Sequence, residues 1–175
     1  MLPRHLLVGG MPTVTNFKAA GVLFTDGIHV LAGFQPGKNA ISGIGGSREG
    51  SETIRQTAFR EAIEELLEPV SDVKFIVQSL VDRYKCHPVI RKGTYRFLVL
   101  SFVDLLHILQ EAKAVGLKSQ IYKTVPTTIA ALLKKRKPTP TSEVTTLMLL
   151  PVKVTDLDLS GLDIDPHFAE DLLSI

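Results

Sequence analysis

Four glutamates, Glu61, Glu64, Glu65 and Glu68, follow a glycine-rich loop that begins at Gly45-Gly46. At about 100° per residue they share one arc of a helix, roughly 100° wide. Phe59, Ala62, Ile63 and Leu66 share the opposite arc, so one face packs and the other presents carboxylates. Neighbouring carboxylates repel. These four also occupy the C-terminal half of the helix, where the macrodipole disfavours anions. Arg60, four residues before Glu64, is placed to pair with it. A divalent cation such as Mg²⁺ or Mn²⁺ takes oxygen ligands and relieves such repulsion. Glycines in the preceding loop let backbone groups approach a ligand closely. For the charges alone, a solvated acidic helix face is the simpler alternative.

The elements that must position this stretch are legible around it. "AAGVLFT" and "IHVLAGF" flank Asp26-Gly27 and predict a β-hairpin. A short strand is expected at Ala40–Ser42. The acidic helix should run from about Thr53 to Leu67, with Ser51 as its N-cap and Pro69 ending it. "VKFIVQSL" and "TYRFLVLSFVD" read as two further strands, rich in branched and aromatic residues. "LLHILQEAKAVGL" reads as a helix, "VPTTIAALLKKRKP" as a shorter one, and "EVTTLMLLPV" as a strand. Asp165 and Pro166 open a C-terminal helix. Strands and helices do not alternate regularly, which favours a mixed α/β domain of the α+β type over a doubly wound parallel sheet. One domain over residues 1–175 is expected, with a loose lead-in over 1–16 and an insertion or flexible segment over 118–142.

The stretch resembles the Nudix box, G-x5-E-x7-R-E-U-x-E-E-x-G-U, in which U is a bulky aliphatic residue. Gly46, Glu52, Arg60, Glu61, Glu64 and Glu65 match six of its seven specified polar and glycine positions. At background frequencies of roughly 7% each, chance gives on the order of one such match in ten million per start position. Ala62 is a small occupant of an aliphatic position. The match ends early: Leu67 stands where the box has its helix-ending glycine, and Glu68 where it has an aliphatic residue. The resemblance covers Gly46 to Glu68 closely, and the strand order extends it loosely over residues 17–155.

What the resemblance implies is an α/β/α sandwich with a mixed sheet that hydrolyses a nucleoside diphosphate linked to another group. Glu61, Glu64, Glu65 and the carbonyl of Gly45 would hold Mg²⁺ or Mn²⁺. Glu52 and Arg60 would fix the loop and the helix, and Glu64 or Glu65 would accept the proton of the attacking water. A later loop often adds a further ligand or base in this family; Glu143, Asp104 and Glu111 are the candidates. Metal ions neutralise the charge that protects a pyrophosphate and acidify a bound water, and phosphoryl transfer needs positioning more than covalent help.

The substrate is less legible. Tyr84, 16 residues after the box, resembles a tyrosine of dinucleoside-polyphosphate hydrolases, or is an ordinary strand-edge residue. Arg83 and Lys85 flank it, and Arg91, Lys92 and Arg96 follow; basic and aromatic residues together suit base stacking with phosphate contact. The alternative is a hairpin with charged edges. Lys134–Lys137, "KKRK", would track an RNA backbone or sit as cations at a helix end. Arg48 stands near the position where many triphosphate-cleaving members carry lysine. The basic residues make the RNA 5′ cap the leading expectation for the substrate. Dinucleoside polyphosphates, free nucleotides and diphosphoinositol polyphosphates remain as alternatives. A non-catalytic Nudix-like binding module is a reading of another class, which the complete set of box acids disfavours.

Bulk properties agree with an ordinary globular chain: 175 residues, 45% hydrophobic, 22% charged and a net charge of +2, which neither demands nor excludes a polyanionic partner. Cys86 is the single cysteine. It leaves no internal disulfide and fits an intracellular, cytoplasmic setting. The N-terminal residues are too short and broken for a secretory signal, and no apolar run reaches bilayer-spanning length. No membrane partner is therefore expected.

Overall fold

A computed structural model describes residues 16–153 and 163–175. The lead-in expected over residues 1–16 lies outside them, apart from Asn16. The elements run β1 (Ala19–Thr25), β2 (His29–Gln35), β3 (Ala40–Ser42), β4 (Ile44–Ser47), α1 (Ile54–Leu67), α2 (Lys74–Arg83), β5 (Val89–Lys92), β6 (Tyr95–Ser101), α3 (Phe102–Ala114), α4 (Ile129–Lys134), β7 (Thr146–Pro151), β8 (Asp163–Ile164) and α5 (Pro166–Leu172).

The expected hairpin forms β1 and β2. Its turn is held by Asp26 Oδ1, which accepts from the N–H groups of Ile28 and His29 at 2.9 and 2.6 Å, and Gly27 supplies a positive φ of 89°. The two strands pair only beside the turn, at Thr25 and Val30, and then part. β1 continues between antiparallel β4 and parallel β6, while β2 continues between antiparallel β3 and β7. β5 extends β6, and β8 extends β3 in parallel. The sheet is therefore mixed, in two halves that meet at one hairpin.

Each face of the sheet carries helices. On one face the core joins Phe24, Leu31 and Leu98 of the sheet to Phe59, Ile63 and Leu66 of α1, and takes in side chains of α2 and α3. On the other, Phe97 and Ile41 pack with Phe168 and Leu172 of α5. Full burial of such a side chain contributes about 1.5–3 kcal/mol. The result is the expected α/β/α sandwich with a mixed sheet.

Two sequence expectations need correction. "VKFIVQSL" is not a strand but the start of α2. Its branched residues favour strands, yet Val73, Ile76, Val77 and Leu80 recur at the helical period and are the ones buried. The N-cap of α1 is Thr53, not Ser51. Thr53 Oγ1 accepts from the Gln56 N–H at 3.2 Å and Gln56 Oε1 accepts from the Thr53 N–H at 2.8 Å, a reciprocal capping box. The segment 118–142 is tied into the fold: Ile121, Tyr122, Val125 and Leu132 are buried in the main core. Helix α1 ends with Glu68 in the left-handed region, φ 42° and ψ 70°. That is one residue after the position of the box glycine, at a backbone strain of about 1–2 kcal/mol.

Candidate active site

The strand β4, the loop 48–52 and α1 place the box residues, and Arg60 is the fastener. Its Nε donates to Glu52 Oε1 at 2.7 Å, and its Nη2 donates to the Ser47 carbonyl at 2.7 Å. Its Nη1 reaches Glu61 Oε1 and Glu64 Oε2, both at 2.8 Å. Glu52 is held from three further sides. Thr57 Oγ1 and the Glu49 N–H donate to its carboxylate at 2.9 and 3.1 Å, and Arg48 Nε donates to its carbonyl at 2.9 Å. Burial works to raise the Glu52 carboxyl, but Arg60 and these donors hold it below the usual carboxylate range. Glu52 and Arg60 thus lock the loop onto the helix.

The other carboxylates are less compensated. Glu65 is 4% exposed. Its Oε2 accepts from the Gly45 N–H at 2.9 Å and its Oε1 from Gln35 Nε2 at 3.2 Å. Burial pushes Glu65 well above the usual range despite the Gly45 donor, and the negative charges of Glu143 and Glu61 add to this. Glu61 is raised in the same way, because burial outweighs its contact with Arg60. Gly46 makes room for the Glu61 carboxylate: a Cβ there would lie 2.5 Å from Glu61 Oε2.

These residues border a cleft of about 1140 Å³. Its far wall is the first half of α2 together with Gln120 and the segment Thr141–Val144. Eight carboxylates line it, those of Glu49, Glu52, Glu61, Glu64, Glu65, Glu68, Asp72 and Glu143, against two cations, Arg60 and Lys74. Among the described residues, no group of three or more His, Cys, Asp or Glu side chains is gathered at metal-ligand spacing. Arg60 draws Glu61 and Glu64 one way, and Gly45 and Gln35 draw Glu65 the other. The donor set still fits a divalent cation. It is all oxygen, it carries excess negative charge, and two of its carboxylates are too buried to ionise comfortably without a cation.

Glu52, Arg60, Glu61, Glu64 and Glu65 line the cleft, and Gly45 touches it through its N–H bond to Glu65. Of the three later acids, Glu143 reaches the cleft. Asp104 instead caps α3 by accepting from the Ser101 N–H at 2.9 Å, and Glu111 pairs with Ser79 and Arg83. Glu68 lines the cleft with one carboxylate oxygen buried and without a hydrogen bond, 3.9 Å from Arg136.

The expected substrate-binding residues are placed elsewhere. Tyr84 is 2% exposed, packed on Phe59 and His87, with its hydroxyl 3.3 Å from Asp104. Arg83 turns to Glu111, and Lys85 is exposed and outside the cleft. Arg48 stacks its guanidinium 4.6 Å from the Phe17 ring centre and braces Glu52. Arg91 and Lys92 lie on the edge strand β5, whereas Arg96 on β6 is buried and donates to the Gly93 and Tyr95 carbonyls at 2.6 and 2.9 Å. In the run Lys134–Lys137, Arg136 points inward and is the one residue that the sequence reading misassigned most. The available signal was the absence of a basic residue in the last turn of α1. A second cavity, about 560 Å³, lies along the β4 glycines and is lined by Lys38, Lys92, Tyr95, Phe168 and Asp171.

No protein-family model matches the chain, and no curated protein does. Among solved structures, the chain is similar to a bifunctional NMN adenylyltransferase/ADP-ribose pyrophosphatase from Francisella tularensis, solved with AMP and a manganese ion. The identity is 22% and the TM-score 0.34, over 50% of this chain and 27% of that one. The chain thus spans about a quarter of that protein. It is also similar to a Nudix-family hydrolase from Clostridium perfringens, at 12% identity and a TM-score of 0.39, over 91% of this chain and 97% of that one. No helix among the described residues is long and apolar enough to cross a membrane.

Proposed function

We propose that the chain is a divalent-metal-dependent hydrolase that cleaves a pyrophosphate bond in a nucleoside-diphosphate-linked substrate. The observation that carries this reading is the acidic cleft, whose eight carboxylates, Glu61, Glu64 and Glu65 among them, face two cations, Arg60 and Lys74. Glu61, Glu64, Glu65 and the Gly45 carbonyl would hold Mg²⁺ or Mn²⁺. The bound cation would supply charge neutralisation for the diphosphate and a more acidic water. Glu52 and Arg60 keep the loop and helix in register. Glu64, Glu65 or Glu143 takes the proton of the attacking water, a role that needs a carboxylate within hydrogen-bond reach.

The substrate follows from charge. A polyanion enters a cleft with eight carboxylates only together with cations, which ties binding to the metal. Capped RNA was favoured by basic residues that do not line this cleft. Small nucleotides and dinucleoside polyphosphates therefore stand ahead of the RNA cap, and diphosphoinositol polyphosphates, with the densest charge, stand last. One observation favours a binding module instead: Arg60 already occupies Glu61 and Glu64. Incubation of the protein with Mg²⁺ or Mn²⁺ and a panel of capped RNA, dinucleoside polyphosphates, nucleoside triphosphates and diphosphoinositol polyphosphates decides among these. Cleavage of the small nucleotides is expected. Release of methylated guanosine diphosphate from capped RNA would restore the cap, and no turnover of any member would leave the binding module.

A further inference from the structure

The last turn of α1 carries Glu64 and Glu65 but no basic residue, and its carbonyls need partners. The segment 118–144 supplies them. Arg136, whose side chain is 2% exposed, donates from Nη2 to the Glu65 carbonyl at 2.6 Å and from Nη1 to the Leu66 carbonyl at 2.8 Å. The Ser119 hydroxyl donates to the Leu67 carbonyl, and the Gln120 N–H donates to the Glu68 carbonyl at 2.8 Å. The same guanidinium also donates from Nη2 to the Val144 carbonyl at 2.7 Å, and its Nε lies 3.3 Å from that oxygen. It lies over the Tyr122 ring, 6.0 Å from its centre. One planar group therefore ties the Glu65 turn of α1 to the residue after Glu143.

We propose that Arg136 is a positioning residue that sets the separation of Glu65 and Glu143, so that both carboxylates serve one divalent cation. The inference rests on the metal-dependent reading of the cleft. It also accounts for the altered end of the box: with Leu67 in place of glycine, the helix continues one residue further, and an external arginine satisfies its end. Lysine would not replace it, because a single ammonium lacks the planar fork that spans three carbonyls.

The test is Mn²⁺ affinity, read from the electron paramagnetic resonance of free Mn²⁺, alongside melting temperature and, with a cleaved nucleotide, kcat and KM. Arg136→Lys is expected to stay folded, bind Mn²⁺ about 10-fold more weakly and lose kcat by a similar factor, the scale typical of groups that orient metal ligands. Lys135→Ala, the exposed neighbour, should bind Mn²⁺ as wild type does. Glu143→Gln should weaken Mn²⁺ binding in wild type and add little in the Arg136→Lys background. A lowered melting temperature with unchanged Mn²⁺ affinity, and equal Glu143→Gln effects in both backgrounds, would reduce Arg136 to a helix cap. If Arg136→Lys does not fold, a Glu65→Gln/Glu143→Gln double-mutant cycle takes its place: coupling in Mn²⁺ affinity supports the proposal and additivity overturns it. Wild type that binds Mn²⁺ but cleaves nothing would end the hydrolase reading and leave this one standing. Wild type that binds no Mn²⁺ would overturn this one.

Discussion

Gly46 and Glu61 show how closely the carboxylates are fitted to the backbone. The added methyl of Gly46→Ala would meet the end of the Glu61 side chain first, so the fold should tolerate it while the carboxylate is pushed off Arg60. Metal-dependent turnover is expected to fall about 10²-fold, as small misplacements of reacting groups do, with the melting temperature nearly unchanged; enzyme kinetics and calorimetry on the same preparation check both. Asp171 gives a second prediction. Burial pushes its carboxyl up to about 6 despite Lys92 nearby. The folded state therefore holds that proton longer than the unfolded chain, so stability falls as pH rises from about 4 to about 6. Asp171→Asn should melt higher than wild type at pH 8 and lose most of that advantage at pH 4.5. At this scale the spacing from Gly46 to Glu65 made the acidic cluster legible. It did not reveal that Arg60 holds Glu52, Glu61 and Glu64 at once, because those contacts depend on how the loop folds back over the helix.

Helix α1 is positioned from both ends. Its start rests on the Thr53–Gln56 capping box, and Thr53→Ala is expected to lower stability by about 1 kcal/mol, measured by urea denaturation. Its end rests on the segment 118–144. The sequence showed the first half of this arrangement better than the second. The hairpin around Asp26-Gly27 and α1 itself follow from local signals: turn chemistry, and an apolar stripe at helical spacing. The cap moved by two residues, from Ser51 to Thr53, because the reciprocal partner three residues on is Gln56 for Thr53 and the apolar Ile54 for Ser51. Helix α2 was read as a strand from residue type, although its buried positions recur at a helical period. Arg136 was hidden in a basic run, since no local pattern tells an inward arginine from three exposed lysines. The short strands β4 and β8 exist through pairing with strands distant in sequence, β1 and β3, which the chain does not announce locally.

At the scale of the molecule, the mixed sheet splits at one hairpin, and the helices on its two faces frame separate cavities. The larger carries eight carboxylates and two cations while the chain as a whole is +2, so charge is segregated rather than balanced locally. The fold class was legible because irregular strand and helix order excluded a doubly wound sheet. The acidity of the cleft was not, because Glu49, Asp72 and Glu143 join it only through tertiary structure. That segregation makes metal dependence the central claim. Its most direct test is hydrolysis of a nucleoside-diphosphate-linked substrate with and without Mg²⁺ or Mn²⁺, by wild type and by the Glu64→Gln/Glu65→Gln variant. Turnover that requires the cation and falls by about 10²-fold or more in the variant is predicted, the range for losing a positioned carboxylate base. Turnover that persists without a divalent cation, or survives the double substitution intact, would contradict the account.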